Sequence, residues 1–140
     1  MEIKADRLDG GTVALLALEG ELDASNFEDV IDAARKAAAD RPRLLVLDLS
    51  GVPYMGSSGL VALHSAAMLM RGQEPPSPED GWSAFHDIGR DAGSDAAEPV
   101  ALVSPQPAVL RVLERSGMAR IFRIHADRES AVEGSREASA

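Results

Sequence analysis

The sequence predicts one α/β domain: a mixed, mostly parallel β-sheet with an N-terminal β-hairpin, about four helices and a long acidic insertion before the fourth strand. Three observations carry this. Strand-like apolar runs alternate with segments of helical spacing along most of the chain. Leu44-Leu45-Val46-Leu47 is a continuous apolar run, as expected of a strand covered on both faces. A length of 140 residues suits a single domain, here 1–140, large enough to bury a core of its own.

Ile3 to Leu8 and Thr12 to Leu18 are strand-like, and Asp9-Gly10-Gly11 between them is hairpin turn chemistry. Apolar residues at Ala24, Phe27, Val30, Ile31, Ala34 and Ala38 have helical spacing, with Ser25 and Glu28 placed as a capping box and Asp40-Arg41-Pro42 as the stop. The strand at 44–47 leads into a turn from Asp48 to Gly56, and Ser57-Ser58-Gly59 then opens an apolar helix over 60–70. Beyond the insertion, Val100 to Val103 is a strand. Ser104-Pro105 is a cap followed by proline in the first helical turn, and Val109, Leu110 and Leu113 mark a helix that Gly117 closes. Ile121 to Ile124 is a further strand, and Asp127 caps a last short helix.

The net charge of −9 is unevenly spread. Residues 72–98 alone carry −6, against −4 for residues 1–71 and +1 for residues 99–140. The same 27 residues hold four Gly and three Pro, so the segment reads as a flexible loop set into the domain. Its deletion over 73–97 is expected to leave the fold intact and to change partner affinity and its salt dependence. The acidic balance argues against sequence-independent binding to nucleic acid or anionic membrane, both of which need a positive field. There are no cysteines, which excludes disulfides, Cys-ligated zinc, iron–sulfur clusters and thiol chemistry. The N-terminal residues lack a signal-peptide layout, and no apolar stretch approaches the ~20 residues that span a bilayer, so a cytoplasmic protein is expected.

The most informative segment runs from Leu47 to Leu60, where a strand ends, a turn follows and paired serines stand at a helix start. One reading is capping, because a serine hydroxyl at that point accepts a bond from an otherwise unpaired helix N–H. The other is modification. A phosphate on Ser57 would lie at the positive end of the helix dipole and add about −1.5 to −2 charges without unfolding anything. The helix that follows is apolar almost all round, so one face packs on the sheet and the other is covered by the domain or left for a partner.

Enzymatic patterns are absent. Gly56-Ser57-Ser58-Gly59 does not have the serine–glycine offsets of a nucleophile elbow, and no spacing links His64, His86 or His125 to a serine. There is neither a phosphate loop nor an H-E-x-x-H pair. Asp80, His86 and Asp87 in the insertion lack the rigid framework a metal site requires. Trp82 and Phe85 are suited to pin that loop onto the domain or onto a partner. No catalytic residue, metal or cofactor is therefore expected.

At Leu18-Glu19-Gly20-Glu21-Leu22-Asp23, at Leu47 to Leu60, and at Val103-Ser104-Pro105 with Val109 to Met118, the chain resembles the STAS-domain anti-sigma factor antagonists of bacteria. The resemblance implies a STAS-like fold and a binding module rather than an enzyme. Unphosphorylated, such proteins sequester an anti-sigma factor that is also a serine kinase of the histidine-kinase-like ATPase fold, which releases the sigma factor. It implies Ser57 as phosphorylation site, with Ser58 as second choice, and a PP2C-type phosphatase that restores the complex. It also implies a docking surface of Asp23, Gly56, Ser57, Ser58, Gly59, Leu60, Val61 and His64, where Asp23 serves equally well as a turn or cap residue. Two departures stand out: Gly56 replaces the aspartate that commonly precedes the serines, and the insertion replaces a short connection. The alternative is a STAS subunit of a lipid-transport ABC system, binding its ATPase constitutively.

Overall fold

The computed structural model describes residues 1–74 and 99–139. The expected loop over 72–98 falls almost wholly outside the described residues, as do Asp80, Trp82, Phe85, His86 and Asp87. Five strands, β1 (Glu2–Leu8), β2 (Val13–Glu19), β3 (Leu44–Gly51), β4 (Val100–Val103) and β5 (Arg123–His125), form one sheet in sequence order. β1 and β2 are antiparallel, and every later neighbour is parallel. Among the described residues the helices are α1 (Phe27–Ala39), α2 (Ser57–Met70), α3 (Pro107–Ser116) and α4 (Arg128–Ser139). None of them is long and apolar enough to cross a membrane.

Alternation along the central strands feeds two cores. Leu16, Leu18, Leu45, Leu47, Leu49 and Leu102 point to one face, where they are buried with Val30 and Ala34 of α1, Leu63 and Ala66 of α2, and Val109 and Leu113 of α3. Val13, Leu15, Leu44, Val46, Ala101 and Val103 point to the other, beneath Ala131 of α4. Both faces of β3 are thus covered, which is why its apolar residues run without a break. Small residues on the facing helices, Ala34 and Ala37 on α1 with Ala62, Ala66 and Ala67 on α2, let these two helices pack closely in the larger core. Each fully buried leucine contributes about 1.5–3 kcal/mol to this arrangement.

Four local expectations change. β3 continues through Asp48, Leu49 and Ser50 to Gly51, so the turn is shorter than Asp48 to Gly56. Ser25 and Glu28 form no capping box: α1 begins at Phe27, and Ser25 instead donates from its N–H and its Oγ to the Asp23 carboxylate. Ser104 is not the cap of α3, which starts at Pro107. Its backbone is left-handed, with φ at 51°, and its Oγ donates to the Ala126 carbonyl at 2.5 Å. Ile121 and Phe122 precede the last strand, because the chain first makes a short 3-10 turn over Met118–Arg120. Two expectations hold in detail: Gly117 closes α3 with φ at 83°, and the Asp127 carboxylate accepts the Ser130 N–H at 2.8 Å at the start of α4.

Candidate docking site

The site is built where β2 and β3 end side by side. Because the two are parallel, their outgoing loops leave at the same end of the sheet, and backbone bonds join these loops. Gly20 N–H donates to the Gly51 carbonyl at 2.9 Å, Leu22 N–H to the Tyr54 carbonyl at 3.0 Å, and Gly56 N–H to the Leu22 carbonyl at 2.9 Å. Leu22 and Met55 make an isolated parallel bridge and are fully buried, as is Val52. In that register Asp23 runs alongside Gly56, one residue before α2 begins.

The Asp23 loop is braced by its own side chains. Asn26 Oδ1 accepts the Asp23 N–H at 3.0 Å and its Nδ2 donates to the Glu21 carbonyl at 2.7 Å. The Asp23 carboxylate accepts Ser25 Oγ–H at 2.6 Å and Ser25 N–H at 2.9 Å, and these bonds hold it below the usual carboxylate range. It stands as an anion at ordinary pH.

Neither serine of the pair caps α2. Gly56 is the N-cap, extended at φ −88° and ψ −179°, and makes no side-chain capping bond. Ser57 occupies the first helical position and is exposed, while Ser58 is half-buried. The accessible stripe of α2 continues from Ser57 through the half-buried Val61, His64 and Met68, at helical spacing. Gly59 and Leu60 point the other way and are buried, so they shape the helix's seat and offer no contact surface. A Cβ on Gly59 would lie 2.3 Å from Met55 Cγ and 3.0 Å from Leu22 Cγ, so only a glycine lets α2 start this close to the bridge.

Tyr54 escapes a reading of the sequence, where it is one more apolar residue of the turn. It is 52% exposed, between the exposed Pro53 and the fully buried Met55, and its carbonyl is fixed by Leu22. No sequence signal separates its outward side chain from the inward ones of Val52 and Met55, because the turn has no regular period. Among the described residues, no group of His, Asp and Glu is placed to hold a metal.

Residues 7–75 match the family model described as Mlab, STAS domain. That match covers just under half of the chain, and the fold is STAS-like. A 59-residue stretch, 42% of the chain, is 40% identical to the anti-sigma-F factor antagonist RsfB of Mycobacterium tuberculosis, and it spans about half, 48%, of that relative's length. The STAS fold is shared with a solved anti-sigma factor antagonist from Mycobacterium paratuberculosis, with a TM-score of 0.66, 21% identity, and 96% and 95% of the two chains covered. It is also shared with SpoIIAA in its unphosphorylated form, with a TM-score of 0.61, 18% identity and 97% of each chain covered. The phosphorylated Bacillus SpoIIAA gives 0.58 and 15%, with 95% of this chain and 98% of that one covered.

Proposed function

We propose that this STAS-like domain is a phosphorylation-switched antagonist of an anti-sigma factor, acting by binding and without catalysis. In the unphosphorylated state it sequesters a partner that is also a serine kinase of the histidine-kinase-like ATPase fold. The sigma factor is then free. A phosphate on Ser57 breaks the complex, and a PP2C-type phosphatase restores it. The observation that carries this reading is the placement of Ser57: exposed and first in α2, on a frame of buried residues that also seats the loop carrying Asp23. A phosphate there meets the helix N-terminus and solvent, so it adds charge to the docking surface with no rearrangement beneath it. Likeness in sequence to RsfB and in fold to SpoIIAA, solved in both phosphorylation states, supports the same reading.

Val61 and His64 extend the surface along α2, and Tyr54 extends it to the turn before the serine. Gly56 removes a carboxylate that could help to engage the kinase, so phosphate transfer to Ser57 is expected to be slow. The test is incubation with the cognate kinase and ATP. The wild type should gain one phosphate, Ser58→Ala should still gain it, and Ser57→Ala should gain none. Ser57→Asp should no longer bind the kinase. Phosphate on Ser57→Ala overturns the assignment of the acceptor. Failure of the wild type both to bind and to be phosphorylated overturns the function, and copurification with transporter subunits regardless of Ser57→Asp would establish the lipid-transport alternative.

A further inference from the structure

Among the described residues the sheet has two edges, β5 of three residues and β1 of seven. A very short edge offers little to another chain, whereas a seven-residue edge presents a row of backbone donors and acceptors. We propose that β1 is a self-association strand: two copies of this chain pair antiparallel through Glu2–Leu8, about a two-fold axis at Ala5, joining their sheets into one.

Charge and register argue for it. An antiparallel two-fold pairing that keeps each face of the sheet on its own side sets every residue opposite one of the same parity. If most of the strand is to pair, the axis passes through Lys4, Ala5 or Asp6. Centred on Lys4, that ammonium meets its own copy and Glu2 meets Asp6. Centred on Asp6, that carboxylate meets its own copy. Centred on Ala5, Lys4 faces Asp6 of the second copy at two symmetric points, Ile3 faces Arg7, Glu2 faces Leu8, and no like charges oppose. This register is also the one that pairs all seven residues.

The side chains are free to meet. Lys4, Ala5 and Asp6 are exposed, and Ala5 is small enough to sit on the axis. Arg7 is already neutralised within its own chain by Asp40, so it meets Ile3 as a covered charge. The Asp6 carboxylate accepts the Arg7 N–H at 2.8 Å, a contact it would exchange for Lys4 of the second copy. β2 lies between β1 and β3, whose outgoing loop leads to Ser57, so the pairing strand is one strand removed from the serine.

Sedimentation equilibrium over a concentration series tests the proposal with a charge swap. The wild type should show a monomer–dimer equilibrium. Lys4→Asp and Asp6→Lys alone should each weaken self-association about tenfold, since either change turns both cross-strand pairs repulsive. The two together should restore it. The chain has no cysteine, so Ala5→Cys introduces one thiol, and mild oxidation should link it to its own copy, because facing residues in such a pair stand within disulfide reach. Circular dichroism should show every variant folded. A wild type that stays monomeric, or a dimer indifferent to the single reversals, overturns the proposal. So does tighter association of Asp6→Lys alone, which would make the Asp6 carboxylate a guard of the edge.

Discussion

The Gly56 N–H donates to the Leu22 carbonyl at 2.9 Å, and this bond ties the start of α2 to the loop that carries Asp23. Two segments 34 residues apart in the chain thereby become one surface, with buried Leu22 and Met55 beneath it. The consequences of that construction can be measured.

Gly59→Ala should destabilise the domain. Alanine ordinarily gains up to about 1 kcal/mol over glycine inside a helix. Here its Cβ would enter the space of Met55 Cγ and Leu22 Cγ, and overpacking of this kind costs about 1–3 kcal/mol. A net loss of about 1–2 kcal/mol in urea unfolding is expected. A gain in stability would mean that Met55 swings clear.

Gly56→Asp should do the opposite. Its backbone already has the extended conformation of an N-cap, and the atom nearest to an added Cβ is the Leu22 carbonyl oxygen at 4.0 Å. A carboxylate there can accept a first-turn N–H and complement the dipole, a gain of a few tenths to about 1 kcal/mol. The melting temperature should rise, and phosphate transfer to Ser57 should quicken in a timed kinase assay. An unchanged rate would separate the missing carboxylate from kinase engagement.

Arg128→Ala should reveal a pH-dependent tether of α4. Burial alone would raise the Asp48 carboxyl, but the Ser50 N–H at 2.9 Å and the Arg128 guanidinium at 2.8 Å outweigh it and hold the group below the usual range. A carboxyl with a lowered folded-state value contributes its stability above the unfolded value of ~3.9 and loses it as pH falls through the folded one. Arg128 is 45% exposed, which limits the cost of removing it to about 1–2 kcal/mol at pH 7. That deficit should shrink as pH falls below ~3.9, in denaturation curves of the two proteins side by side. A constant deficit would place the effect in lost packing of the arginine stem.

Tyr54→Ala should spare the fold and weaken binding. The ring is more than half exposed, so stability should move by no more than about 0.5 kcal/mol. An aromatic at a docking surface commonly contributes about 1–2 kcal/mol or more, so affinity for the proposed kinase partner should fall about tenfold. Calorimetric titration that finds equal affinities would put Tyr54 outside the interface.

The fold was legible because its core is periodic. The unbroken run at Leu44 to Leu47, the hairpin glycines, Gly117 and Asp127 each leave a signal within a few residues of where they act. The site was legible only in part. Ser57 stands out because two serines precede an apolar helix, yet the exposure of Tyr54 depends on how an aperiodic turn is pulled in at Val52 and Met55. The Asp48–Arg128 pair spans 80 residues and two elements, and no local pattern announces it. Ser25 lost its expected cap role because α1 begins only at Phe27, with Asn26 as its N-cap, and the serine hydroxyl turns to Asp23, an outcome invisible to spacing.

Gly59 carries a lesson for reading other genomes. The glycine that ends the Ser-Ser-Gly triplet is demanded by the contact of the helix with Leu22 and Met55. A descendant without the proposed phosphate switch would be free to discard the serines and still be obliged to keep the glycine. A triplet search therefore recovers the architecture, and the proposed switch rests on the hydroxyl in front of it.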